Sequence, residues 1–226
     1  GLTYGFFGDG PVDRLYKKKN PLWSANNAEL TRKVSELPLV HNPGERWTYS
    51  VSTDVLGALV ERVSGQSLGD YFSAQILQPL QMTDTAFHVP KEKLDRLASS
   101  YGPGRTLVES ANSSPYRNPG RIQSGGGGLV STAHDYMRFC QMLLNEGHLG
   151  QARVLRPESV RAMIKNQLPK GVRTYGKYGF GLGFMIQLED WGSKGRPGEA
   201  GWDGIASTHF WISPKDDIAV VALSQR

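Results

Sequence analysis

Cysteine is almost missing from these 226 residues: Cys140 stands alone, so no internal disulfide can form and the redox compartment stays open. Long apolar runs are missing too, and with a mean hydropathy of -0.40 this excludes a membrane-spanning helix. No H-E-x-x-H, C-x-x-C or phosphate loop occurs, and the five histidines (His41, His88, His134, His148, His209) show no metal-ligand spacing. No metal chemistry is expected. Nor does one sign of charge dominate, because 26 basic and 21 acidic residues are interspersed and leave a net charge of +5. The one basic run, Lys17-Lys18-Lys19, reads as part of a Gly/Pro-rich loop without interleaved aromatics. That is the pattern of a solvated surface, so nucleic-acid binding is not expected. The chain opens on Gly1-Leu2-Thr3 rather than methionine, and the lack of a visible leader therefore says nothing about compartment.

What is present suits one large domain or two closely packed lobes, with 38% hydrophobic and 10% aromatic residues to build a core. Residues 1–46 read as a long loop region with one helix over 27–36. Apolar residues at helical spacing (Val55, Leu56, Leu59, Val60, Val63) predict a helix with Ser52, Thr53 or Asp54 as its N-cap and Gly65 as its stop. A second helix, capped by Ser67, runs on to Pro79, and a short one covers 91–100. Residues 101–128 form an exposed excursion ending in four glycines, a run expected where the backbone turns sharply or approaches something closely. Helices follow over 132–145 and after Pro157. Cys140 lies in the apolar stripe of the former and reads as a buried small hydrophobe, not a catalytic thiol. The period then changes: 178–188, 208–212 and 218–223 read as strands, the last two joined by a turn at Ser213–Asp217. Helices first and antiparallel strands last make an α+β chain. The expected division is 1–170, a mostly helical lobe, and 171–226, strands of an antiparallel sheet, together forming one composite domain.

Gly65-Gln66-Ser67-Leu68-Gly69 matches the G-x-S-x-G of α/β-hydrolases, but that chemistry needs a strand before the serine. Here a helix precedes it, so Gly65 reads as a helix stop and Ser67 as a helix cap. More informative is Asn42-Pro43-Gly44-Glu45-Arg46-Trp47-Thr48-Tyr49-Ser50-Val51, a turn followed by aromatics just ahead of a helix. From the residues alone, Tyr49 is either a core aromatic or a phenol presented at a loop edge.

This segment resembles the second signature of the β-lactamase-related serine hydrolases, which include class C β-lactamases, D-alanyl-D-alanine peptidases and family VIII carboxylesterases. The helix after it ends in Glu61-Arg62-Val63-Ser64-Gly65, and further similar blocks follow in order: Pro79 to Phe87, Gly126 to Asp135, Tyr178 to Gly183, and Gly201-Trp202-Asp203-Gly204. The resemblance covers nearly the whole chain. It implies the β-lactamase/transpeptidase-like fold, an antiparallel sheet flanked by helices beside a mostly helical lobe. It implies acyl transfer through a serine ester without a cofactor. Tyr49 is then the catalytic tyrosine that moves protons to and from the serine and the leaving group. The last block lies on an edge strand beside the nucleophile, where the Ile205 backbone N–H donates to the oxyanion and Trp202, Asp203 and Gly204 line the substrate site.

Three departures refine that reading. Val51 stands where β-lactamases carry an asparagine two residues after the tyrosine, and Trp202-Asp203-Gly204 stands where they carry Lys-Thr-Gly. Both differences favour an esterase of small short-chain acyl esters, with weak β-lactam hydrolysis as a side activity, over a β-lactamase or peptidase. No serine in the chain has a lysine three residues on, so the Ser-x-x-Lys nucleophile is expected upstream of Gly1, the alternative being an inactive ligand-binding relative. The expected partner is a small ester, with no nucleic acid and no membrane span; the sequence leaves oligomeric state open.

Overall fold

A computed structural model describes residues 1–192 and 195–225. They form two compact units: Gly1–Phe72 with Gly120–Gly128 and Pro169–Val172, and the remaining segments from Ser73 onward. No helix among the described residues is long and apolar enough to cross a membrane.

The first unit is helical. Helix α1 (Pro11–Lys19) occupies a stretch expected to be loop. Its start is set by Pro11 in the first turn and by Asp13, whose Oδ2 accepts the Gly10 N–H at 3.1 Å. Asn20, at φ 47°, ends it. Lys17, Lys18 and Lys19 therefore sit in the last turn of a helix, where its dipole favours cations, and not in a loop. Helix α2 (Asn27–Ser35) is capped by Asn26, which accepts the Glu29 N–H at 2.9 Å, while Glu29 accepts the Ala25 N–H at 2.8 Å. Tyr16 of α1, Leu30 and Val34 of α2, and Val51 bury one another to form the core of this unit.

Helix α3 (Ser52–Ser64) stops at Gly65, at φ 70°, as expected, but its N-cap is Val51, which has no capping side chain; Ser52, Thr53 and Asp54 already lie inside the first turn. Its buried face is not the expected apolar stripe. Leu56, Leu59 and Val63 are 56%, 54% and 80% exposed, whereas Asp54 and Gly57 are buried. The reason is the glycine run. A Cβ on Gly125 would lie 2.1 Å from the Thr53 carbonyl oxygen, and one on Gly57 would lie 3.0 Å from the Gly125 Cα. Backbone packs on backbone there, and only glycine permits it. Helix α4 (Leu68–Phe72) follows, with Ser67 Oγ accepting the Asp70 N–H at 3.1 Å; Ser67 is a helix cap.

In the second unit the expected helix to Pro79 continues only as a π-helical turn, Ser73–Leu77, and the one over 91–100 shortens to a 3₁₀ turn, Lys91–Arg96. A two-stranded ribbon, β1 (Ser100–Tyr101) and β2 (Leu107–Glu109), lies within the exposed excursion. Helix α5 (Ala133–Leu144) is capped by Thr132, whose Oγ1 accepts the Asp135 N–H at 3.1 Å. After the small hairpin β3 (His148–Leu149) and β4 (Ala152–Arg153) comes α6 (Pro157–Met163).

The stretch 178–188 is not one strand. It folds back on itself as β5 (Gly179–Phe180) and β6 (Met185–Ile186), turning through Gly183 at φ 100°. These pair with β7 (Ala200–Gly204), β8 (Thr208–Ser213) and β9 (Ile218–Leu223) in an antiparallel sheet of order β5-β6-β7-β8-β9. The strand carrying Trp202 is third in that order, because the β5–β6 hairpin supplies a second neighbour to its first residues, but along Trp202–Gly204 it keeps the expected open edge. That neighbour is short: β6 reaches Ala200 and Gly201, while Trp202, Asp203 and Gly204 register against β8 only. Phe210 of β8 packs on Tyr136 of α5 and on Phe184, with ring centroids 5.0 and 5.7 Å apart.

Two of the ordered sequence blocks prove to be halves of one clasp in this unit. Asp135, buried in the first turn of α5, accepts the Asp84 N–H at 2.7 Å and the Thr85 hydroxyl at 2.9 Å. Thr85 also meets the Ser131 hydroxyl at 2.7 Å, and Ala86 bridges Val130. Cys140 is fully buried, and burial pushes its thiol up to about 12.

Candidate active-site elements

Tyr49 belongs to the first unit, where the chain enters α3. Val51, two residues on, is sunk in the core and anchors that entry, so the position that carries an asparagine in β-lactamases is here a packing position. Tyr49 is half-buried inside an aromatic cluster. The Tyr4 ring meets it edge-on at 5.0 Å, Phe7 lies at 5.5 Å, and Trp47 stacks nearly parallel at 6.1 Å. Phe6 stacks on Tyr4 at 5.2 Å and touches Phe7 at 4.5 Å. Such ring contacts each add roughly 0.5–1.5 kcal/mol beyond area burial, and together they hold the orientation of the phenol.

Behind this cluster lies a polar knot that the sequence did not announce. Asp54 has no exposed surface; its Oδ1 accepts the Ser124 hydroxyl in a short contact and the Gly126 N–H at 3.2 Å. The Tyr4 phenol also reaches this knot. A Cβ on Gly126 would fall 2.6 Å from Asp54 Oδ2, 2.8 Å from the Tyr4 hydroxyl and 3.0 Å from Thr53 Oγ1, so three oxygens converge on one glycine. Burial raises the Tyr4 pKa above the ordinary tyrosine value, and the charges of Asp54 and then Tyr49 raise it further. Tyr4 is thereby kept a neutral hydrogen-bond donor at any working pH. The glycine run was the one signal of this contact legible beforehand.

The remaining site residues lie in the second unit. Trp202 is half-buried, edge-on to Phe180 at 5.4 Å and stacked with Tyr175 at 6.5 Å. Asp203 projects to the opposite face of the strand, as alternation requires, and its Oδ1 meets His209 Nδ1 across the β7–β8 pair at 2.7 Å. Gly204 faces Thr208 so closely that a Cβ would lie 2.1 Å from the threonine hydroxyl oxygen. Ile205, fully exposed, opens the turn into β8, which the Ser207 N–H closes on the Gly204 carbonyl at 3.0 Å. Its own N–H stands beyond the last β7–β8 register pair, Gly204–Thr208. Among the described residues no group of three or more His, Cys, Asp or Glu could hold a metal ion.

The family model described as Beta-lactamase matches residues 1–226. Protein Rv1367c of Mycobacterium tuberculosis is 35% identical over 242 residues, covering 100% of this chain and 59% of that protein. Esterase EstB of Burkholderia gladioli is 31% identical over 220 residues, covering 87% of this chain and 54% of the esterase. The chain thus spans little more than half the length of these relatives. Among solved structures, EstCE1, described as a hydrolase with promiscuous acyltransferase activity, superposes with a TM-score of 0.81 at 26% identity, covering 99% of this chain and 64% of that one.

Proposed function

Because the chain belongs to the Beta-lactamase family, we infer that the protein carrying it is a serine carboxylesterase that hydrolyses small short-chain acyl esters. The observation that carries this reading is Trp202. Its ring, packed against Phe180 and Tyr175, gives an apolar wall where the lysine that holds a β-lactam carboxylate would otherwise stand. Likeness to an esterase over 87% of the chain supports it.

In this reading the serine oxygen attacks the ester carbonyl carbon and its proton passes to the lysine–tyrosine pair. No serine of this chain precedes a lysine by three residues, so that serine and lysine come from residues outside this sequence. Collapse of the tetrahedral intermediate breaks the bond to the leaving alkoxide, which takes a proton through Tyr49. Water then attacks the acyl-serine, and the same groups return the proton. The Ile205 N–H shares the oxyanion with the serine's own N–H and Trp202 and Gly204 border the acyl group, while Asp203, on the opposite face of the strand, takes no part in lining it. Acyl transfer to an alcohol in place of water is a second reading, favoured by the acyltransferase activity named for EstCE1.

Intact mass of the full-length protein, before and after a fluorophosphonate probe, tests this. One adduct is expected, on a serine followed three residues later by lysine, together with turnover of p-nitrophenyl butyrate well above that of a chromogenic cephalosporin. Tyr49→Phe should lower ester turnover roughly 100-fold. A folded protein that takes no adduct would be a non-catalytic binding relative, and Tyr49 a structural aromatic. Faster turnover of the cephalosporin would return the assignment to the β-lactamases.

A further inference from the structure

The Asp54 knot does more than close the loop 124–128 onto α3. We propose that Asp54 and Tyr4 are positioning residues for Tyr49: the buried carboxylate fixes the Tyr4 phenol, and the Tyr4 ring fixes the face and tilt of the Tyr49 ring. The proposal rests on the esterase reading for its catalytic meaning, but its geometry stands by itself within the first unit.

Four observations carry it. Asp54 is entirely buried, and its Oδ1 is held by Ser124 and Gly126. Its Oδ2 is buried without a hydrogen-bond partner in regular geometry among the described residues, and it converges with the Tyr4 hydroxyl and Thr53 Oγ1 on Gly126, with Asp54 acting on the Tyr4 phenol through both charge and hydrogen bonding. Leaving a buried carboxylate oxygen in that state is costly unless a donor stays close by, and Tyr4 is kept protonated by burial and by Asp54 itself. Finally, Tyr4 meets Tyr49 edge-on at 5.0 Å, with an interplanar angle of 74°, a preferred arrangement for a rigid aromatic pair. A phenol that relays protons must stay within tenths of an ångström of its partners, and loss of that placement slows the chemical step more than it weakens binding.

The test uses the full-length protein with 3-fluorotyrosine at position 49, alone and with Tyr4→Phe, Asp54→Asn or both, each checked for folding by its thermal midpoint. The fluorine signal of Tyr49 should be single in the parent and shifted or broadened in both single variants. With p-nitrophenyl butyrate, kcat should fall about tenfold in each, KM should stay within about twofold, and the double variant should be no worse than either single one. Variants that melt with the parent and retain both its fluorine signal and its kcat would overturn the proposal, as would single effects that multiply in the double variant. If the parent fails to turn over ester while the fluorine signal still responds to Asp54→Asn and Tyr4→Phe, the esterase reading falls and the positioning of Tyr49 stands.

Discussion

Four glycines in a row, 125–128, look interchangeable, yet their neighbours are not. A Cβ on Gly125 would collide with the Thr53 carbonyl oxygen at 2.1 Å, a backbone atom that cannot rotate away, whereas one on Gly127 would meet nothing within 4 Å. Gly125→Ala should therefore destabilise the protein by about 1–3 kcal/mol, and Gly127→Ala should stay within about 0.5 kcal/mol, as measured by urea unfolding. Equal losses from the two would refute the close approach to α3. At this scale the sequence showed that the run mattered but not which member did, because the contact is made by residues about seventy positions upstream. Tyr49 was legible only through its resemblance to a signature; composition left it even between a core aromatic and an exposed phenol. Asp54 was invisible as a site residue, since an acidic residue in the first turn of a helix is the ordinary thing to find there.

At the scale of elements, several helix ends follow from their local chemistry, while the start of α3, the helix expected to reach Pro79 and the buried face of α3 do not. Gly65, Ser67 and Thr132 stop or cap the helices as their local chemistry demands. Ser67 makes the sharper case, because it also sits at the centre of a G-x-S-x-G. Its hydroxyl accepts the Asp70 N–H at 3.1 Å and donates to the Asp70 carboxylate at 2.7 Å, the work of a cap. Ser67→Ala should cost about 1 kcal/mol in chemical denaturation and leave ester turnover and probe labelling unchanged. Loss of the adduct in that variant would make Ser67 the nucleophile and overturn the assignment. The face of α3 was misjudged because hydrophobic periodicity counts apolar side chains, while this helix buries a carboxylate and a glycine against a loop. The single strand expected over 178–188 failed for a related reason. Alternation continued smoothly through Gly181 and Gly183, but a Cβ on Gly181 would lie 1.9 Å from the Met163 carbonyl oxygen, and Gly183 turns the chain back.

For the whole molecule, acid stability follows from how the second unit is tied together. Asp84 joins the clasp through its N–H and pairs through its carboxylate with Arg96, at 2.9 and 2.7 Å, and with Lys93, at 2.7 Å. Arg96 first and then Lys93 hold the Asp84 carboxyl well below the usual carboxylate range. A group whose folded value is depressed stabilises fully above its unfolded value, about 3.9, and loses that contribution as pH falls through the folded one. The pair is partly exposed, so solvent and salt weaken it. Asp84→Asn should lower the thermal midpoint by a constant amount between pH 7 and about 5, and the deficit should narrow below about pH 4. A deficit that persists unchanged to pH 2 would mean that the charge contributes nothing and only the shape of the side chain matters.

The sequence by itself determined the α+β class, the stop at Gly65, the caps at Ser67 and Thr132 and, through five ordered blocks, the family. These depend on hydrogen bonds that close within three or four residues, or on motifs that survive as written. Only the tertiary structure decided that Asp54 faces inward, that Asp84 and Thr85 are held by Ser131 and Asp135, and that the strand of Trp202 starts between two neighbours while Asp203 turns away toward His209. Each of those facts depends on which backbone comes close to which, over separations such as the 70 residues between Asp54 and Ser124, and no local period or propensity encodes that meeting.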